Sequence, residues 1–343
     1  MPDDATAPLP PVTVQDVLNC AFSHWYPNFR TSTIKSLVIK PLPPALLQYL
    51  KQDNVVLPAH SDADSDDVGS TTASAEHYDD EADNDDSDAV DAVPDLSEAT
   101  ALIQEAIDAL GGDVFPRLAW SSPRDAVWIT ATQSLRCTSP DDVYLVLKSS
   151  DRVTDELDAP FAAATLPPTD SQGYDPELVL RRWSNLNPAL EFRCFVLNQR
   201  LTHITQMDLN HYSFLAEEQD RILSLITQFF TDTVLPRFPS RHYAVDVYVK
   251  STYEKVYIVD FNILSPSTTD PILFAWDELL TPNKPVSEQQ HQPTLRLFPA
   301  DTDGLRFSSA RYSQNRFPVE LTATNYQEGL DKFIETVRSQ QPK

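Results

Sequence analysis

His242-Tyr243-Ala244-Val245-Asp246-Val247-Tyr248-Val249 is followed, after a short polar link, by Val256-Tyr257-Ile258-Val259-Asp260-Phe261-Asn262. Val, Tyr, Ile and Phe at this density fit a pleated, half-buried surface, and Lys250 to Lys255 is the length of a hairpin loop. The two segments are therefore expected as paired antiparallel strands. Alternation sends Asp260 and Asn262 to one sheet face, and a register that sets Asp246 across from them gathers three oxygen-bearing side chains. Such a patch suits a hard divalent cation. Magnesium takes oxygen ligands at about 2.0–2.1 Å and keeps several waters and substrate phosphates, so a few protein ligands suffice. The competing reading is a solvated strand edge with ordinary surface acids, and on the residues alone both stay open.

The rest of the chain surrounds that pair with a sizeable core and one strongly acidic stretch. Its 343 residues, 41% hydrophobic, are enough for one large domain or two ordinary ones. From Gln52 to Pro116 there is no Lys or Arg, while Asp and Glu number 19, so most of the net charge of -25 sits there. Ser61 to Val93 is mainly Asp, Ser, Ala and Thr. A segment so poor in large apolar groups cannot offset its ordering entropy, and it reads as a disordered, solvating insert, with a basic partner as the other use for its charge. An acidic balance argues against direct nucleic-acid binding, where phosphate contacts dominate affinity. Cys20, Cys137 and Cys194 lie far apart with no C-x-x-C spacing, which implies a reducing compartment and neither a disulfide framework nor a zinc site. With no signal-like N-terminus and no apolar run near twenty residues, a soluble cytoplasmic protein is expected.

The six glycines build no G-x-G-x-x-G and no P-loop, and the histidines no H-E-x-x-H. No G-x-S-x-G elbow occurs either, so Rossmann, Walker, metalloprotease and serine hydrolase chemistries lack support. Helices are expected around Val14 to Cys20, over Pro94 to Leu110 with Gly111-Gly112 as its stop, and over Asp141 to Lys148, Glu217 to Val234, Leu273 to Leu280 and Tyr326 to Ser339. Strands are expected over Ile34 to Ile39, Val114 to Leu118, Ala126 to Thr130 and Glu177 to Trp183. A hairpin, Glu191 to Val196 with Leu201 to Gln206, turns around Asn198-Gln199-Arg200. The aromatic group Phe22, Trp25, Tyr26 and Phe29 reads as core. Mixed rather than alternating order favours an α+β fold.

The order of these pieces resembles the ATP-grasp fold: a cation after a strand (Arg117) with a small-residue loop (Ser121-Ser122), a strand to line adenine, an Arg-bearing strand (Glu191-Phe192-Arg193), then an acid and an acid-x-Asn. More specifically, the chain resembles the cell division cycle protein 123 family of eukaryotes. The resembling blocks are Cys20 to Pro27 with Thr33 to Ser36, Val114-Phe115-Pro116 with Trp120 to Ala126, Lys148 to Asp151, Glu177 to Trp183, Glu191 to Phe195, and Val259 to Asn262. The resemblance implies an α+β, ATP-grasp-like protein of two subdomains with a nucleotide cleft between antiparallel sheets. Residues 12–58 and 94–152 would form the N-terminal subdomain and 153–281 the C-terminal one, with 59–93 an acidic disordered insert, 282–318 a flexible loop and 319–343 a C-terminal helix.

It further implies ATP and Mg²⁺ as ligands, with Asp246, Asp260 and Asn262 on the metal. Arg117 matches a position where the family has lysine, a departure because Arg forks its donors while Lys is a compact point charge. Ser121 and Ser122 match the phosphate-covering loop, and Trp120 of the same block is expected on the cofactor side. Arg124 matches a ligand-side position, or else holds Asp125 in a surface pair. Val179, Leu180 and Arg181 match the linker along adenine, with Leu180 packed on the ring. Trp183 either covers that pocket or belongs to the core. Arg193 and Gln206 match inward positions for phosphate or ribose, and Tyr248 shares the face of Asp246.

The implied role is an assembly chaperone that engages the γ subunit of eukaryotic translation initiation factor 2 and promotes the heterotrimer, supporting translation initiation and cell-cycle progression. A monomer before client binding is expected, with no membrane or nucleic-acid partner. The alternatives are an ATP-grasp ligase working through an acyl-phosphate or adenylate, and a scaffold with a decayed site. No dedicated nucleophile stands beside the metal motif, which favours binding over chemistry.

Overall fold

In chain order the elements are helices α1 (Val14–Asn19) and α2 (Phe22–Phe29), strand β1 (Ser36–Ile39), α3 (Pro44–Lys51), α4 (Ser97–Leu110), β2 (Val114–Arg117), α5 (Pro140–Lys148), α6 (Asp151–Asp158), β3 (Leu178–Arg182), β4 (Glu191–Leu197), β5 (Arg200–Gln206), α7 (Ser213–Glu217), α8 (Gln219–Phe229), β6 (Tyr243–Val249), β7 (Val256–Ile263), α9 (Trp276–Leu280) and β8 (Thr294–Arg296). The computed structural model describes residues 11–52, 94–130, 132–165, 174–280 and 292–300. The acidic insert 59–93 and the helix expected over Tyr326 to Ser339 lie outside them.

Two sheets result, one of three strands in the order β1-β3-β2 and one of five in the order β7-β6-β4-β5-β8. Their ladders are antiparallel except for the parallel pair β5–β8. The α+β class follows. Pro116 sits on the edge strand β2, where a missing N–H does least harm. Val114, two residues earlier, exchanges both backbone bonds with Cys137 on the side away from β3, so Pro116 presents its absent donor to that same side.

Local chemistry explains the element ends. Gly111 stops α4 at φ 99°, a left-handed conformation that an L side chain resists. The β4–β5 turn is two residues long, with Asn198 and Gln199 both at positive φ, the conformation whose twist matches the flanking strands. Ala126 to Thr130 is not the expected strand. Pro123 starts a 3-10 helix over Arg124–Ile129, and Ala126 N–H closes its first turn on the Pro123 carbonyl at 3.0 Å. Within 282–318, read as loop, the described part includes β8.

The buried apolar residues form two principal cores. One joins α2 and α8 to the inner face of the large sheet, through Phe22, Trp25 and Phe29 against Val245, Val247, Ile258 and Phe261. The aromatic group is thus core, as its composition suggests, and burying each such ring contributes on the order of 1.5–3 kcal/mol. The other packs α3, α4, α5 and α6 with Leu178 and Leu180 of the small sheet. β3, counted above with the C-terminal subdomain, is the central strand of the small sheet.

Candidate functional site

On β4, β6 and β7 the residues facing away from the large core form the floor of a cleft. Arg193 stands opposite Asp246, and Asp246 opposite Asp260, so three charged groups make one row across three strands. Directly opposed residues have Cβ atoms about 4.5–5.5 Å apart, which puts each charge within reach of the next. Asn262 faces Ala244, diagonal to Asp246, and its amide nitrogen donates to Asp246 Oδ2 at 3.1 Å. The three oxygen-bearing groups of the opening stretch therefore do converge.

A β-bulge makes this possible. Val256 and Ile258 face the core, and in an unbroken strand Asp260 and Asn262 would follow them inward. Val259 has no partner on β6, and this extra residue turns the strand so that Phe261 and Ile263 enter the core instead. The surplus residue also supplies an acceptor, since buried Arg181 donates Nη1 to the Val259 carbonyl at 2.9 Å.

Each carboxylate is already paired. Arg193, 7% exposed, forks onto Asp246 with Nε–Oδ1 of 2.7 Å and Nη2–Oδ2 of 2.8 Å. Arg117, 2% exposed, donates Nη1 to Asp260 Oδ2 at 2.7 Å. Its remaining nitrogens hold the turn beyond β2: Nε reaches the Leu118 carbonyl at 3.0 Å, and Nη2 those of Ala119 and Trp120 at 3.3 and 2.9 Å. Arg117 is therefore a strut between the loop and Asp260. The guanidiniums of Arg117 and Arg181 both lie over the Phe22 ring, 5.5 and 5.4 Å from its centroid. Burial and the neighbouring Arg117 pull Arg181 down to about 10, and its Nε is buried without a hydrogen-bond partner.

Two adjoining cavities open on this floor. The larger, about 450 Å³, is lined by Trp120, Ser122, Arg124, Arg193, Asp246, Asp260 and Asn262 and by the Pro266 to Pro271 loop. The second, about 340 Å³, is lined by Arg117, Ser122, Arg124, Arg181, Glu191 and the Trp183 to Leu186 loop. Ser122, Arg124 and Asp260 belong to both. Arg124 is not held by Asp125, whose carboxylate accepts instead from Ser150 Oγ at 2.6 Å and Arg152 N at 3.2 Å. Trp183 is half-buried on the cavity rather than within a core. Burial raises the Glu191 carboxyl, with Arg124 opposing that shift.

Four expected ligand-side residues are placed differently. Val179 and Leu180 lie on the central strand, paired on both sides, with their side chains fully buried in separate cores. Neither lines either of these two cavities, whereas the loop Trp183 to Leu186 lines the second. Gln206 is fully buried and spends its amide on the chain itself, donating to the Asp208 and Asn210 carbonyls at 2.8 and 2.7 Å and accepting from Phe298 N at 3.1 Å. Tyr248 shares the face of Asp246 but packs, half-buried, beyond the cavity lining.

Glu156 of α6 was not singled out above, yet it shapes the site. It is buried and accepts from Trp120 N, Ser121 N and Tyr174 OH at 3.1, 2.5 and 3.0 Å, tying down the loop that precedes Ser122. Burial raises its carboxyl above the ordinary glutamate range.

The donor set fits a hard cation with phosphate: two carboxylates and an amide oxygen on one face, arginines around them, and a buried guanidinium nitrogen still lacking an acceptor. No group of three or more His, Cys, Asp or Glu suited to a metal occurs among the described residues, so any cation here would lean on phosphate and water for its remaining ligands.

Comparison with known proteins places this architecture. Residues 25–325 match the model of the family described as D123. Cell division cycle protein 123 of Yarrowia lipolytica is 37% identical, over 96% of this chain and 84% of that protein. A protein of Sclerotinia sclerotiorum named translation initiation factor eIF2 assembly protein is 34% identical, over 97% and 91%. The solved structure of Cdc123 from Schizosaccharomyces pombe is 35% identical and aligns with a TM-score of 0.65 over 84% of this chain and 99% of that one. On the family model, the relatives and the shared fold together, the chain belongs to the D123 family, that of cell division cycle protein 123.

Proposed function

We propose that the chain binds ATP with magnesium in the cleft between its two sheets and acts in the cytoplasm as an assembly chaperone for eukaryotic translation initiation factor 2, engaging the γ subunit. The nucleotide half rests on one observation, the convergence of Asp246, Asp260 and Asn262 on a cleft ringed by Arg124, Arg181 and Arg193. Asp246, Asp260 and Asn262 would hold the cation, whose chemistry is to neutralise and orient phosphate oxygens. Arg124 and Arg193 would meet the phosphates, in an ATP-grasp-like arrangement, with Trp183 and its loop beside the nucleoside. The client half is supported by relatives named as eIF2 assembly proteins.

Thermal melting with Mg-ATP, wild type against Asp260→Ala, tests the nucleotide half. Ligand at a hundred times its dissociation constant stabilises by about 2.7 kcal/mol, so the wild-type midpoint should rise and the variant's should not. Equal shifts in both proteins would remove Asp260 from the site. Incubation with labelled ATP and purified γ subunit tests the client half: a stoichiometric complex without sustained turnover is expected, and steady multiple turnover would favour the ligase reading instead.

A further inference from the structure

Resting on the reading of the cleft as a Mg-nucleotide site, we propose that it takes the polyphosphate before the cation. Arg193 holds the place of the metal on Asp246 until phosphate draws it away. Both carboxylates of the candidate cation site are committed, Asp246 to the two-pronged Arg193 and Asp260 to Arg117, and the Asn262 nitrogen is spent on Asp246. Around them the two adjoining cavities are lined by six arginines against three aspartates and one glutamate, a local excess of positive charge in a chain whose net charge is -25.

A bare divalent cation entering this floor meets a net positive field and two carboxylates each already paired with a guanidinium. Displacing the guanidinium would leave buried Arg193 without its carboxylate, which is costly, so the cation gains little by competing alone. A polyphosphate meets the opposite situation. Arg124 makes no side-chain hydrogen bond or ion pair among the described residues, and guanidinium forks match phosphate as well as carboxylate. When Arg193 turns toward phosphate, Asp246 is released, and the freed carboxylate, with Asp260 and Asn262, would hold the cation. Each ligand thereby raises the affinity for the other by the same factor.

The test is calorimetric, on the full chain, with Mn²⁺ alone and with inorganic tripolyphosphate in excess EDTA as separate probes. Wild type should bind tripolyphosphate without metal and bind Mn²⁺ alone at least tenfold more weakly than it binds Mn²⁺ with tripolyphosphate present. Arg193→Gln should move the two probes in opposite directions, Mn²⁺ alone at least tenfold tighter and tripolyphosphate at least tenfold weaker. A variant that merely unfolds loses both, and the wild-type titrations then decide the matter. Wild type that takes Mn²⁺ alone as tightly as with tripolyphosphate, tripolyphosphate that binds only after Mn²⁺, or a folded Arg193→Gln with no gain in Mn²⁺ would each overturn the order. ATP that fails to bind where tripolyphosphate succeeds would sink the nucleotide reading and leave this one intact.

Discussion

Ile258 and Phe261 face the same apolar core although three positions separate them. Residues an odd number apart on a regular strand face opposite ways, so the unpaired Val259 absorbs the mismatch and offers its carbonyl to Arg181. Deleting Val259 keeps the inward-outward alternation on either side and removes that acceptor. The expected loss is about 1–3 kcal/mol in urea melts, the cost of stranding a buried donor. In an Arg181→Met background the same deletion should cost less. Equal losses in both backgrounds would detach the bulge from Arg181.

Arg117→Lys restores the residue type the family resemblance leads one to expect, yet it should weaken this chain. One ammonium cannot replace a fork that reaches three successive carbonyls and Asp260 together. Stability should fall by about 1–3 kcal/mol, and the Trp120 and Ser121 amides should exchange hydrogen faster. Unchanged exchange in that loop would show that Arg117 is not its strut.

Glu156 sets a pH dependence with a definite sign. Its folded carboxyl titrates above the ordinary value of 4.5, so between the two values the native state binds more protons than the unfolded one. Its contribution to stability is then full below 4.5 and falls as pH rises toward the folded value. Glu156→Gln keeps an acceptor for the Trp120 and Ser121 amides and cannot ionise. Urea melts from acid to neutral pH should therefore show the wild type losing stability relative to the variant across that window. Parallel curves would mean an ordinary carboxyl.

These residues also mark how far the sequence could be read. Asp246, Asp260 and Asn262 were legible because alternation and strand pairing are written in the chain, and even the bulge leaves a trace where the apolar parity shifts between Ile258 and Phe261. Glu156 was not legible: it stands among Asp151, Asp155 and Asp158 on a stretch that looks like a solvated helix face, and only packing shows that it is buried. The family resemblance implied an inward position for Gln206 but could not say that the Asp208–Asn210 turn would consume its amide. Val179 and Leu180 have the composition of an adenine-lining strand and of a core strand alike. The small sheet's pairing, set by residues far away in sequence, decides for the core.

Trp183 is where a nucleoside, rather than a bare phosphate chain, should be recognised. It leaves β3 just after the paired residues, its N–H anchored on the Asp113 carbonyl at 2.9 Å, and its half-buried ring borders the cavity that also holds Arg181 and Glu191. Base–aromatic stacking contributes about 1–3 kcal/mol per base, which corresponds to roughly 5- to 150-fold in affinity. Trp183→Ala should weaken ATP by a factor in that range and leave tripolyphosphate unchanged, because no arginine lining the cavities is altered. Equal weakening of both ligands would instead mean that Trp183 supports the walls of the cleft, and losing neither would place the base elsewhere.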